Sequence, residues 1–569
     1  MSARASRSRV VLPSVVWSLT LAVVMLGPAL GPGFVLLRDM VFVPHLDLGR
    51  ADVLGLGSAL PRAVPSDAVV AVLDQVVGGM VLQKLVLLGS LAGAGVGMAV
   101  LVGGAQVARL SAASVAIWNP FVVERLAIGH WPVLAGYAAL PWLLLAGRRI
   151  AAGGAVAAWL PLVLIAGSLS ANAGVVSALA LGVSACVGGV RRRSIAVLAV
   201  LVAAVNAPWI VAGLAHAAAS TGAGGWSAFA PSADALPTPL AVLTLGGIWN
   251  TGVVPGSREG IAAWIGLIAL VALAVAGWRR WRTPATPASS AGGQGRTLLV
   301  LWLIAMAVAW VSWLAPGPLG RIGEHVPGLG LLRDGTRSLG LAVPLTAALV
   351  AAGVERLVAL PRERVAALAL AAVGVLGPVA LLPDAAAGLS GELDTARLPG
   401  AWSQVRAVVE PGHGSALVLP WSAYRAPAWN GGRPVLDPLP RMLRTDAVIN
   451  GDLLVGQTLV AGEDPRAADA GRVLAAATPA ARAEGLRGLG IGWVVQELDA
   501  GTAPEVAGTV VLDDPLVRVV RLDGTITRTE VATATRVAQG AAWVAYLAVV
   551  VASAAALLAA AARTAAARM

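Results

Sequence analysis

The sequence predicts a mainly α, polytopic membrane protein of about twelve transmembrane helices, with a small extracytoplasmic α/β domain near its C-terminus. Three observations predict this. Of 569 residues, 57% are hydrophobic and only 12% charged, with a mean hydropathy of +0.80, too apolar for a soluble core. The apolar residues gather into runs of membrane-crossing length, and the short Arg clusters between the runs fall on one side.

The spans, in order, are 10–30, 81–103, 108–119, 131–147, 151–168, 172–190, 195–215, 260–278, 297–315, 338–358, 365–383 and 537–562. The third is short, as a partial or tilted helix would be. The first thirty residues have no convincing small-residue cleavage site, so 10–30 is expected to stay as a span rather than leave as a signal peptide. With the N-terminus cytoplasmic, Arg148, Arg149, Arg191, Arg192, Arg193, Arg279, Arg280, Arg362 and Arg364 are all inside, and so is the C-terminus. Of 30 acidic residues only Glu355 and Glu363 join them. The net charge of +11 is therefore a topology signal, and no nucleic-acid partner is expected.

This scheme places a membrane domain over 1–383, with its first outer loop at 31–80. A second outer stretch lies near 216–260, and a flexible cytoplasmic linker at 283–295. Residues 384–536 form the extracytoplasmic domain, and 537–569 a last helix and cytoplasmic tail. Within 384–536, strands are expected at 415–421 and 491–497, a helix at 472–486, and two β-rich runs at 509–512 and 517–522 around the turn Asp513-Asp514-Pro515. The lone Cys186 excludes an intramolecular disulfide and is expected as a small core residue.

The segment WNPFVVERLAIGHWP, residues 118–132, is a polar knot between two apolar runs. Asn119, Glu124, Arg125 and His130 there are expensive at a membrane edge unless paired or facing water, which makes them site candidates. The alternative is an ordinary loop with a solvated Glu124 and Arg125. The first outer loop opens GFVLLRDMVFVPH, residues 33–45, where Arg38 and Asp39 follow the first span. An acid among apolar neighbours is expected to have a raised pKa, which suits a general base; the alternative is a solvated or Arg38-paired acid. Further on, LPRAVPSD (60–67) reads as the start of an interfacial amphipathic helix capped by Ser66.

Lys84 is the only lysine beside 40 arginines and either snorkels from the second span or meets a phosphate. In GLGLLRDGTR, residues 328–337, Arg333 and Arg337 form either an anion clamp or an ion-pair cluster with Asp334. Trp421, Tyr424, Trp429 and Arg433 bring aromatic faces and hydrogen-bonding groups into two short stretches. Carbohydrate recognition uses that combination, and so does a packed loop. The five histidines show no metal-ligand spacing, and P-loop, HExxH and G-x-S-x-G motifs are absent.

An acid in the first loop, the pattern WNPFxxERxxxGHWPxLxGYxxLPW and the late LLRDxxR resemble the GT-C-type membrane glycosyltransferases. Actinobacterial members near the arabinofuranosyl- and mannosyltransferases of cell-envelope assembly are the most similar. The layout corresponds over most of the chain, and the local motifs are 33–43, 118–142 and 331–337. The resemblance implies a plasma-membrane enzyme that uses a polyprenyl-phosphate sugar as donor and an envelope glycan or glycolipid as acceptor, with inversion, on the outer face. It implies Asp39 as base and Arg125, His130, Arg333 and Arg337 as holders of the donor phosphate, with Arg38, Asn119, Glu124 and Lys84 in support. It departs from the family in lacking a clear paired acidic motif in the first loop: the nearest acids after Asp39 are the more distant Asp47 and Asp52. A non-catalytic scaffold of envelope-glycan assembly is the first rival. A lipid or polysaccharide transporter is the second, disfavoured by spans of nearly pure Ala, Val, Leu and Gly.

Overall fold

The computed structural model describes residues 3–187, 189–216, 223–282, 291–527 and 530–566 and is mainly helical. Among the described residues, seven helices are long and apolar enough to cross a membrane: Val11–Leu30, Gly79–Val102, Arg192–Ala215, Ile261–Trp278, Gln294–Leu314, Arg364–Leu381 and Thr533–Arg563. The helices Gly335–Leu341 and Val343–Val358, bent by 46° where they meet, make an eighth if they are one broken span. These coincide with eight of the twelve expected spans.

The other four expected spans take different forms. Residues 108–119 give the 12-residue helix Gln106–Ile117, and 131–147 lies within the mostly buried helix Trp131–Ala151. Ala171–Val187 replaces 172–190, and only the seven-residue Leu160–Ala166 forms within 151–168. Gly153, at φ +84°, ends the preceding turn, and the short helix starts only at Leu160, with Pro161 in its first turn. The linker expected at 283–295 lies outside the described residues as far as 290, and from Ala291 onward the chain is helical. Cys186 is exposed near the end of its helix rather than packed in the core.

Helix Ser66–Val77 turns its polarity inside out. Its Asp67 and Asp74 are buried, whereas Val72 and Val76 are 54% and 86% exposed. An apolar face presented outward suits lipid and not water, as does Arg364–Leu381, none of whose core window is buried. Ser66 is not the cap. It is the first helical residue, and its hydroxyl donates to the Ala63 carbonyl at 2.8 Å.

Residues 415–521 carry a five-stranded mixed sheet in the order Thr509–Asp513, Val517–Arg521, Ile491–Glu497, Ser415–Leu419 and Ala447–Val448. The central pair, Ser415–Leu419 with Ile491–Glu497, is parallel, and Val517–Arg521 runs antiparallel to the latter. Alternate side chains enter two different cores. Leu417, Leu419, Ile491, Val494 and Val520 pack with Leu474 and Leu486 of the helices Pro465–Leu474 and Pro479–Gly488. Ala416, Val418, Trp493, Val495 and Val519 join the same core as the membrane helices. Burial on both faces is why 415–419 and 491–495 read as unbroken apolar runs. The single helix expected at 472–486 is two, because Pro479 cannot continue the first and Thr478 caps the second through the Ala481 amide.

The first loop threads between these two halves as an extended segment. Phe34 and Val35 pair with Ala396 and Thr395, and the Asn430 side-chain amide donates to the Leu36 carbonyl at 2.9 Å. Gln83, from the helix Gly79–Val102, accepts from the Val35 amide at 2.9 Å and donates to its carbonyl at 2.8 Å. Gln83→Leu would strand both buried backbone groups, and we expect a loss of about 2–6 kcal/mol, read as a lower Tm with new protease cleavage at residues 34–43. An unchanged Tm would show that the loop is held by its strand pairings alone.

Candidate active site

The site is built where three connecting segments meet. In the first, helix Gln106–Ile117 stops at Trp118, and Asn119 caps the short helix Pro120–Ala127 by accepting from the Val122 amide at 3.0 Å. The Asn119 amide also donates to the Val115 carbonyl at 2.8 Å, so this residue shapes the helix break and is spent in doing so. Every residue from 118 to 129 is buried, which excludes a solvated loop. Glu124 is among them, its carboxylate beside Gly246 and away from the cavity.

Arg125 is fully buried and its guanidinium forks onto Asp334 at 2.8 and 3.2 Å, with a further bond to the Thr336 hydroxyl. Asp334 also accepts from Arg337 Nε at 3.1 Å. Burial alone would raise the Asp334 carboxyl, but Arg125 and Arg337 hold it far below the ordinary carboxylate range. The late loop is thereby riveted to the polar knot. Arg125 does not line the cavity, so its expected direct contact with a phosphate gives way to a place behind His130.

His130 stands between Arg125 and Asp39. Arg125 lies 3.3 Å from Nδ1, and since a guanidinium can only donate, Nε2 carries the proton it offers to Asp39 at 3.2 Å. Burial first, and Arg337 next, depress the imidazole pKa below its ordinary value, which favours this neutral form. Asp39 receives a second hydrogen bond from the Tyr424 hydroxyl. Its amide donates to the Ile128 carbonyl at 3.1 Å. Gly129 makes this approach possible: at φ +88°, any Cβ there would sit 2.1 Å from the Met40 amide nitrogen. Arg38 lies at φ +48°, held by Ala127, Glu392 and Gly252, and backbone strain one residue before the carboxylate marks a segment whose surroundings dictate its shape.

The expected rise in the Asp39 pKa is not found. Burial does push it up, but the His130 and Tyr424 hydrogen bonds and the Arg337 charge bring it below the ordinary 3.8. Asp39 is an ionised carboxylate, one-third open to a cavity of about 1680 Å³. Arg333, Arg337, His130 and Tyr424 line that cavity with it, as do Trp209, Trp226 and Phe229. Tyr424, expected to contact glycan, therefore sits against the acid.

The remaining sequence candidates lie elsewhere. Trp421 packs on the core beneath the sheet, Trp429 meets Trp402 edge-on at 5.2 Å, and Arg433 bonds Asn430 and faces Asp394. None of the three lines the cavity, and neither does Lys84, whose Nζ is buried in protein instead of snorkelling.

Sequence reasoning did not single out Arg62, Asp67, Arg441, Asp446 and Glu463, all of which line the cavity. Their residues are far apart in the chain and only the fold brings them together. Asp446 is pushed up to about 6, by burial first and then by Asp52 beside it. Among the described residues no group of three or more His, Cys, Asp or Glu is placed to hold a metal ion.

The fold is similar to that of a solved membrane glycosyltransferase. The mycobacterial arabinofuranosyltransferase AftD, solved by cryo-EM, aligns over 91% of this chain and 40% of its own, at 20% identity and a TM-score of 0.54. A mutant form of AftD gives 91%, 42%, 19% and 0.53 in the same order. This chain thus spans about two-fifths of AftD's length. The archaeal oligosaccharyltransferase AglB from Archaeoglobus fulgidus, solved with an inhibitory peptide and a dolichol-phosphate, aligns over 86% of this chain and 69% of its own, at 12% identity and a TM-score of 0.35. No family model and no curated protein matches the sequence.

Asp334→Asn leaves Arg125 buried without its counter-ion, and we expect a loss of about 3–5 kcal/mol in thermal unfolding. The double variant Arg125→Met with Asp334→Leu should recover part of that stability, since it strands no fully buried charge and the Arg337 it unpairs is about one-third open. If the single variant is as stable as wild type, the rivet is dispensable.

Proposed function

We propose that this chain is a membrane glycosyltransferase of the cell envelope, moving a sugar from a polyprenyl-phosphate donor to a glycan or glycolipid acceptor on the outer face of the plasma membrane. The observation that carries the proposal is Asp39: an ionised carboxylate, fixed by His130 and Tyr424, on the wall of a large cavity that also exposes Arg333 and Arg337.

In the reaction, the acceptor hydroxyl oxygen forms a bond to the sugar's anomeric carbon and loses its proton to Asp39. The bond from that carbon to the phosphate oxygen breaks, and the lipid phosphate leaves with the electron pair. Arg333 and Arg337 offset the charge gathering on that phosphate. A single displacement inverts the anomeric centre. A carboxylate of depressed pKa is a weak base, but the hydroxyl grows acidic as its bond to carbon forms, and the proton passes late. His130 and Arg125 act through Asp39 by holding it in place.

The fold shared with the arabinofuranosyltransferase AftD supports this class of reaction for the present chain. A non-catalytic scaffold would keep the cavity and leave Asp39 without a task.

The test is transfer of radiolabelled sugar in membranes, supplying polyprenyl-phosphate pentoses and hexoses in turn. Asp39→Asn should lower transfer by about 10²- to 10⁴-fold at normal protein levels. Full transfer in that variant would remove Asp39 as base, and unchanged cellular glycan would favour the scaffold.

The pH profile follows from the same carboxylate. Asp39 titrates below its ordinary 3.8, so its basic form is complete above that value and is lost only as pH falls through the depressed one. Transfer should therefore show no acid limb from Asp39 between pH 7 and about 5. A limb near 6 that disappears in Asp446→Asn would assign it to Asp446 instead.

A further inference from the structure

Arg38, Arg62, Arg333, Arg337 and Arg441, which line the cavity, already have carboxylate partners, whereas Arg466 donates to the Leu489 carbonyl at 2.8 Å. Arg337 is on Asp334, Arg441 on Asp67, Arg38 on Glu392, and Arg62 and Arg333 share Glu463. An anion approaching any of the paired arginines must therefore take the place of a protein carboxylate. Asp334 is locked by Arg125 and Thr336, and Asp67 belongs to a buried helix face. Glu463 is tethered differently.

Glu463 ends a small hairpin whose strands, Leu453–Val455 and Thr458–Val460, pair only with each other. Leu454 and Leu459 face one another across the pair, and each remains 66% exposed. The hairpin closes at a neck where Gly451 and Gly462 cross: a Cβ on Gly462 would lie 2.9 Å from the Gly451 carbonyl carbon. The Asp452 carboxylate ties the neck by accepting from the Gly462 amide at 2.8 Å. Neither Leu454 nor Leu459 belongs to a hydrophobic core.

At the end of this flap the Glu463 carboxylate, 8% exposed, spans two guanidiniums from distant parts of the chain. Arg62 of the first loop lies 2.6 Å away, and Arg333 of the late loop 2.9 Å. Arg333 is also stacked 4.4 Å over the Phe229 ring, so its position does not depend on Glu463 alone. The oxygens of one carboxylate thus bridge two guanidinium forks, an arrangement that phosphate oxygens also satisfy.

We infer that Arg62 and Arg333 form a phosphate-binding subsite whose resident occupant is Glu463, and that an incoming phosphate monoester or diester displaces this carboxylate and releases the hairpin. It rests on the reading above only in expecting the phosphate to arrive on a lipid. The chemistry is shared with free phosphate, and no covalent step is involved.

The experiment measures binding to the full chain in detergent, with three probes: a polyprenyl monophosphate, inorganic phosphate and the matching polyprenyl alcohol. Glu463→Gln removes the competing charge and keeps the size. It should bind the polyprenyl monophosphate about tenfold tighter than wild type, the scale of one charge-assisted hydrogen bond, with the alcohol unchanged. Adding Arg62→Gln should abolish the gain. A matching gain for inorganic phosphate assigns the subsite to the phosphate alone, and a gain confined to the lipid adds its chain to the recognition.

Unchanged or weaker binding of the monophosphate by a Glu463→Gln protein with wild-type Tm would overturn the inference. Should that variant fold poorly, Glu463→Asp, a methylene too short to bridge both arginines, should show a smaller gain of the same sign, and its absence counts equally against the subsite. Tighter phosphate binding without sugar transfer from any donor would strike the glycosyltransferase reading and leave this subsite standing. Flat binding with transfer intact would strike the subsite alone.

Discussion

The buried pair of Arg125 with Asp334 is the constraint on which the rest of the site depends. Two charges removed from water are costly, and their attraction repays that cost only when geometry and extra hydrogen bonds are good. Here both oxygens of Asp334 are used, by Arg125, Arg337 and Thr336. The return for that arrangement is positional. It joins two segments more than 200 residues apart in the chain, and its free edge presents a donor to His130 Nδ1. That donor selects the tautomer whose other nitrogen reaches Asp39. Remove the pair and the contact with Asp39 is left to orient the imidazole without a donor that fixes its tautomer.

The chemistry that results is orientation rather than strong basicity. Hydrogen bonds to both oxygens keep Asp39 charged but lower its proton affinity. A carboxylate so held aims at one place in the cavity and stays ionised across the neutral range. Barrier lowering must then come from alignment and from charge stabilisation at the departing group, the work that fixed dipoles and guanidiniums do in a partly water-excluded cavity.

Much of this was legible in the sequence. The long apolar runs gave up their helices readily, because burial in lipid needs nothing but length and apolarity. The cost of charge near a membrane points to Asp39 and His130, the spacing of an anion clamp points to Arg333 and Arg337, and all four line one cavity. The same cost argument also flagged Arg125, Glu124 and Asn119, and it could not distinguish a charge facing the cavity from one buried behind it. The bond from Tyr424 to Asp39 has no local signal, since the two are 385 residues apart in the chain. Arg62 and Glu463 carry no local signal at all: one lies beside prolines and the other after a glycine, and only the tertiary structure brings them together. The split of 472–486 into two helices was missed although its Thr478-Pro479 step was plain to read.

The sheet has a consequence for how this protein can be taken apart. Its alternation sends one set of side chains beneath its own two helices and the other, with Trp493 and Val495 at the centre, into the core of the membrane helices. A fragment cut near residue 384 would bare that second face to water: a contiguous apolar surface on a sheet that evolved a partner, not a solvent, on that side. Such a fragment should aggregate or seek detergent, however soluble its composition looks. The two halves of the chain are one folding unit in which the membrane part serves as the sheet's missing layer.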